Sequence, residues 1–187
     1  VISTLALSPR MIAVADMNLD GDLDVLSASA DDNKIAYYDN NGTGGFAAQK
    51  VLALDGQALA VQPADLDGDT FLDVLFSTRN PDKVGWIRQN KTSPGTFETA
   101  TRDITQTGTD IFSVHSSDLD GDGDIDVLSA SRGKDTVFWY PNNGLGGFSS
   151  EQVLASSVSG ATSVVVGDFD RVLDQHTFAI VEDDYNL

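Results

Sequence analysis

Nine consecutive residues, Asp118-Leu-Asp-Gly-Asp-Gly-Asp-Ile-Asp126, set five carboxylates on alternate positions around Gly121 and Gly123. A strand does not favour such a run, because its like charges would crowd and nothing apolar would remain to bury. A cation loop does favour it. A hard ion such as Ca²⁺ takes about six to eight oxygens at about 2.3–2.6 Å. A tight turn with oxygens at positions 1, 3, 5, 7 and 9 supplies them, and glycine accommodates the positive φ angles it needs. The spacing assigns side-chain oxygens to Asp118, Asp120, Asp122 and Asp126, and the backbone carbonyl to Asp124 at position 7.

The same register recurs twice upstream. Asp16, Asn18, Asp20, Asp22 and Asp24 form one set, and Asp65, Asp67, Asp69, Phe71 and Asp73 the other, with Asp22 and Phe71 at the carbonyl position. A degraded fourth copy opens at Asp168-Phe-Asp170. There Val172 and His176 fall at positions 5 and 9, so Asp168, Asp170 and Asp174 are too few and no ordered ion is expected. A solvated acidic turn would also use Asp and Gly, but three copies at a fixed interval weigh against it. First positions 16, 65, 118 and 168 lie 49, 53 and 50 residues apart, a period that signals an array or propeller.

Charge agrees with this reading. The chain has 29 acidic against 11 basic residues and a formal charge of −18, and the three loops hold four, four and five of the acids. Three bound Ca²⁺ would bring the charge to −12. Nucleic acid is excluded as a natural partner, since phosphate binding needs the opposite sign. No cysteine is present, so no disulfide and no thiolate metal site can form. No apolar run approaches the roughly 18 residues of a membrane span, so no membrane insertion is expected. Weak Ca²⁺ modules belong where the ion is abundant, which places the chain outside the cell or at its surface.

The elements that must hold these loops repeat with them. A short apolar strand leads in (Ile12–Ala15, Ala60–Ala64, Phe112–Ser117, Ser163–Gly167), and a strand of small and β-branched residues leads out (24–29, 73–78, 126–131). An aromatic strand follows (34–38, 83–87, 136–140), then a Gly-rich loop ending at Phe46, Phe97 or Phe148, then a last strand (50–54, 99–104, 151–155). Four strands in about 50 residues make a propeller blade. Apolar first and second strands suit a sheet covered on both faces. Pro63 fits an edge strand, because it lacks the ladder donor. The equal spacing of Tyr37, Trp86 and Trp139 and of the three phenylalanines points to blade-to-blade packing.

The expected fold is therefore all-β, with blades of four antiparallel strands over about 11–54, 59–105 and 111–156 and a partial blade at 162–182. Val1–Thr4 reads as a further fourth strand. Either it closes onto the last strands as a small four-bladed ring, or the chain belongs to a larger propeller, and four being the low end of the range favours the second. Association with further blades of a longer chain or with copies of itself is expected accordingly.

The Asp-x-Asp-x-Asp-Gly-x-x-Asp loop, the Val-Leu after it and the Gly-x-Phe loop resemble the FG-GAP/VCBS repeats. These occur in integrin α-subunit propellers, fungal propeller lectins and secreted microbial adhesion proteins. The resemblance covers almost all of 1–182 and implies a Ca²⁺-binding β-propeller used as an extracellular binding platform for protein or carbohydrate. Two further readings stay open: a lectin with sugar sites between blades, and a non-catalytic propeller region of a larger secreted enzyme of lyase or lipase type. Departures from the pattern weaken particular loops. Thr70 stands where the repeats place Gly at position 6, with Gly68 at position 4, and Asn18 brings a neutral oxygen at position 3. No catalytic role is expected. His115 and His176 lack nucleophilic partners, and the conspicuous acids are accounted for as ligands. Asn41-Gly-Thr43 and Asn90-Lys-Thr92 are sequons on equivalent loops, meaningful only in a glycosylating host.

Overall fold

The structure is a computed structural model that describes residues 2–54, 56–107, 109–167 and the backbone of 177–182. Three antiparallel sheets of four strands follow one another along the chain. The first holds β1 (Pro9–Ala15), β2 (Asp24–Ser29), β3 (Lys34–Tyr38) and β4 (Lys50–Leu54) in that order. The second holds β5 (Gln57–Ala64), β6 (Asp73–Arg79), β7 (Lys83–Ile87) and β8 (Arg102–Thr105). The third holds β9 (Ile111–Ser117), β10 (Asp126–Ser131), β11 (Thr136–Tyr140) and β12 (Gln152–Ser156). A two-stranded sheet of β13 (Ala161–Gly167) and β14 (Thr177–Glu182) comes last.

The first strands of all four sheets lie side by side, β1 next to β5, β5 next to β9 and β9 next to β13. Residues from each of them, among them Met11, Leu59, Phe112 and Ser163, line one shared cavity of about 350 Å³. This is the convergence of blades on a common axis. Pro63 sits on β5, an edge strand, as its missing donor requires.

Successive residues of a strand point to opposite faces, and each blade uses both. Leu26, Ile35 and Tyr37 of the first blade meet Val61, Val74, Phe76 and Ile87 of the second. On its other face the second blade offers Leu75, Val84 and Trp86 to Val114, Val127, Phe138 and Tyr140 of the third. Leu128, Ala130 and Val137 of the third then meet Val158, Ala161 and Val164. All six residues of β2 and of β10 are buried, which explains their unbroken run of small and apolar residues.

Covering is incomplete on β1. Ile12 and Val14 remain 64% and 55% exposed, because no blade packs on that face of the first sheet among the described residues. The strand expected at Val1–Thr4 does not form over the described residues 2–4. A fourth strand needs the free edge of a third to pair with, and the β13–β14 sheet offers no third strand among the described residues. Ile2, Ser3 and Ala6 instead line a cavity of about 180 Å³ with Ile12, Val25 and Tyr38 on the uncovered face. β8 also begins at Arg102, later than the sequence suggested, since residues 99 and 100 bend after the Gln89–Phe97 bridge.

At the blade end remote from the acidic loops, Asp110 ties the second and third blades together. Its Oδ1 accepts from Arg79 Nη1 at 3.1 Å, and its Oδ2 accepts from Arg132 Nη2 at 2.7 Å. Burial acts to raise the Asp110 pKa, but the hydrogen bonds and charges of Arg132 and Arg79 outweigh it and hold the carboxyl below its ordinary value. A depressed folded pKa means that this stabilisation is present above the unfolded value of about 4 and is lost as pH falls through the folded one. Asp110→Asn is therefore expected to lower stability by about 1 kcal/mol near neutrality. Urea titrations at a series of pH values should show that gap closing below about pH 4.

Candidate metal centres

Each acidic loop joins the first strand of a blade to the second, so the three lie at one end of adjoining blades. Residues 16–24 run from the end of β1 to the start of β2, 65–73 from β5 to β6, and 118–126 from β9 to β10. The backbone turns left-handed at two fixed places in all three. Position 4 carries φ of +62° at Leu19, +70° at Gly68 and +78° at Gly121, and position 6 carries +92° at Gly21, +73° at Thr70 and +95° at Gly123. Only the third loop has glycine at both. Thr70, which stands in place of the repeat's glycine, is thus held in a left-handed backbone that costs a β-branched residue energy, and the first loop holds an equivalent strain at Leu19 that the motif did not reveal.

Carboxylates organise the loop from within. Asp16 accepts from the N–H groups of Asp20 and Gly21, and Asp65 accepts from those of Asp69 and Thr70. Asp118 accepts from Gly121 and Gly123. Position 5 accepts from the N–H of position 7, as in Asp22 to Asp20, Phe71 to Asp69 and Asp124 to Asp122. The loops thus have preset shapes whose acids still present further lone pairs.

Position 9 differs from the rest. Asp24, Asp73 and Asp126 are at most 1% exposed. Asp24 Oδ2 accepts from Met17 N–H at 3.1 Å, and Oδ1 accepts from Asn40 N–H at 2.8 Å. Asp73 does the same with Leu66 and Gln89, and Asp126 with Leu119 and Asn142. Each therefore staples the second residue of its loop to the residue two places beyond the third strand. Tyr37 also donates to Asp24 Oδ2 at 2.9 Å, and burial followed by that carboxylate raises the tyrosine pKa. The signal for this second role was an Asp opening an otherwise wholly buried strand.

Burial pushes the Asp73 carboxyl up to about 7, and it raises Asp126 as well. A carboxyl whose folded pKa exceeds its unfolded value favours the folded state only while protonated. Without a cation this group therefore loses stabilising effect as pH rises from about 4 through about 7. A bound cation would reverse that disadvantage by favouring the ionised form.

Ligand atoms of Asp65, Asp67 and Asp73 lie within 4.8 Å of one another, as do those of Asp118, Asp120 and Asp122. In the first loop, which has Asn18 at position 3, no such group of three acids converges among the described residues. The Asn18 amide donates to Asp20 Oδ2 at 2.9 Å and to Asp39 Oδ1 at 3.1 Å. Asp67 Oδ1 is buried with no hydrogen-bond partner, which fits a ligand to a cation. Donors that are all oxygen fit a hard divalent ion. The fourth copy at Asp168, Asp170 and Asp174 lies outside the described residues.

The first and second loops are each roofed by the Gly-rich loop of the next blade. A Cβ on Gly95 would stand 2.9 Å from Asn18 Cβ, and one on Gly146 would stand 2.5 Å from the Trp86 ring. Asn142 Nδ2 donates to Leu66 O in the preceding blade at 2.9 Å. Tyr37 stacks edge-on with Phe97 at 5.5 Å, and Phe148 joins the cluster around Trp86. Tyr37, Trp86, Phe97 and Phe148 are interface core, as their spacing implied, whereas Phe46 packs within the first blade and Trp139 joins no core cluster among the described residues. The side chains of Asp22 and Asp124, at position 7, lie against Gly42 and Gly144, where a Cβ would come within 2.2 and 2.3 Å. Asn41 Oδ1 accepts from Thr43 and Gly45 on its exposed loop, and Asn90 Nδ2 donates to Thr96 Oγ1. His115 lies in β9, where burial lowers its pKa.

The family model for FG-GAP-like repeats matches residues 16–76, 72–129 and 118–171. The chain belongs to this repeat family, and its blades are those of a β-propeller. Among solved structures it is similar to a lectin of Agrocybe aegerita, described as specifically recognising non-reducing terminal N-acetylglucosamine. The identity is 20% and the TM-score 0.59, over 92% of this chain and 43% of the lectin. The likeness is one of fold, and this chain spans less than half the lectin's length. No curated protein sequence matches the chain.

Leu19→Gly and Thr70→Gly are each expected to stabilise the protein by about 0.5–1 kcal/mol, since relief of a left-handed side chain exceeds the entropy cost of glycine. Denaturant midpoints at fixed calcium check this. In excess chelator, Asp126→Ala should cost about 2–4 kcal/mol by orphaning one buried and one part-buried N–H group, and Asp122→Ala well under half of that.

Proposed function

We propose that this chain is a stretch of an extracellular calcium-stabilised β-propeller that presents a binding surface, with Ca²⁺ serving structure and not catalysis. The observation that carries this reading is the threefold recurrence of one oxygen-only loop at the same end of adjoining blades. In two of these loops three carboxylates already converge. The ions would be held by Asp16, Asn18, Asp20 and Asp24, by Asp65, Asp67, Asp69 and Asp73, and by Asp118, Asp120, Asp122 and Asp126, with the carbonyls of Asp22, Phe71 and Asp124. Ca²⁺ supplies charge neutralisation there, and the chain's own staples and left-handed turns orient the ligands. We assign no catalytic group.

For the ligand we favour carbohydrate. A groove of about 270 Å³ lies between β4 of the first blade and residues 95–99 of the second. Its walls combine Lys50, Thr96, Glu98 and Thr99 with the apolar Leu52 and Phe97. Hydroxyl-matching groups around an apolar floor suit a sugar. The fold shared with the Agrocybe lectin supports the choice, and terminal N-acetylglucosamine is the first sugar to test.

Two measurements check these statements. Excess chelator is expected to lower the melting temperature steeply, because each ion at about a hundred times its Kd adds about 2.7 kcal/mol to the folded state. A melting curve indifferent to chelator would remove the metal reading. A glycan array with and without Ca²⁺ should show binding that a Lys50→Ala, Glu98→Ala double variant abolishes while its melting temperature is kept. An array with no signal would leave a protein ligand as the occupant of the platform.

A further inference from the structure

The residue directly after the third strand is Asp39 in the first blade, Arg88 in the second and Pro141 in the third. In the second blade this position points a cation into the acidic loop. Arg88 Nη2 lies 2.5 Å from Asp67 Oδ2 and 3.3 Å from Asp69 Oδ2, at positions 3 and 5. The Asp67 side chain is 5% exposed, whereas that of Arg88 is 32% exposed. Among the described residues no lysine or arginine ion pair involves the first or the third loop. Among the described residues the second loop therefore carries a cationic partner that the other two do not show.

We infer that Arg88 is a built-in counter-cation of the second loop, competing with a divalent ion for Asp67 and Asp69. The inference rests on the calcium reading above. A guanidinium and a divalent ion placed on the same two carboxylates repel each other across a few ångströms, so one must leave for the other to bind. Arg88 can leave, because its head reaches solvent at the rim. Its cover is also partial, since Asp67 Oδ1 keeps no partner beside it. The second loop thus stays closed when no ion is bound, and it is the last of the three to load. In the first loop the same position brings Asp39, a negative group that accepts from the position-3 amide, so the arrangement there is the reverse.

Calorimetric titration of the chelator-stripped chain with CaCl₂ tests this. Wild type should fill two sites before a third, weaker one. Arg88→Gln should tighten that third site at least tenfold and leave the other two unchanged, and Arg88→Lys should fall between. In chelator, Arg88→Gln should melt below wild type, and saturating Ca²⁺ should erase the difference. The converse variant Asp39→Arg, at a partly exposed position, should weaken one of the two tight sites at least tenfold. Unchanged affinities in both Arg88→Gln and Asp39→Arg would overturn the role of Arg88 while leaving the calcium reading in place. Absence of Ca²⁺ binding in every protein would overturn both.

Discussion

The structure depends on a carboxylate that it buries. At the head of each second strand an Asp with almost no exposure accepts one N–H from the start of its own loop and another from beyond the third strand. A buried charge is tolerated only where hydrogen bonds satisfy it. Here those bonds hold the acidic loop, the second strand and the Gly-rich loop at fixed separation. Remove the carboxylate, and two backbone donors at the junction of these segments lose their acceptor.

Blade stacking builds on that staple. Because the Gly-rich loop leaves the third strand at a defined point, it can reach across to the preceding blade. Gly95 lies on Asn18 and Tyr37, and Gly146 lies on Trp86. A side chain at either place would push the blades apart. The aromatic interface and the roof over the acidic loop are therefore one arrangement, and an ion in the loop would be coupled to the contact between blades. The third loop has no such roof among the described residues, and its Asp120 and Asp122 stay exposed.

Much of this was legible beforehand. The limits of β2, β3, β4, β7, β10 and β11 follow from residue composition, repeat position and turn residues alone, as do the positions of the first three acidic loops. What escaped were features that depend on a partner. Leu19 looks like an ordinary apolar loop residue, and its left-handed backbone is visible only beside Gly68 and Gly121. Ile2–Thr4 reads as strand by composition, but a strand exists only where an edge receives it. The stapling role of Asp24, Asp73 and Asp126 was hidden by their place in a metal motif.

The chain by itself determined what is local. The type and spacing of oxygen donors, the glycines that permit the turns, and the period-two strands around them are all settled within about ten residues, where covalent geometry dictates reach. Tertiary structure decided which donors converge on one point and which are consumed by backbone, because that is settled by groups distant in sequence. Asp73 meets Gln89 16 residues on, and Asn142 meets Leu66 76 residues back. Arg88 reaches Asp69 across 19 residues only through the pairing of β6 with β7. Such contacts follow from strand register and blade stacking, which no local spacing encodes.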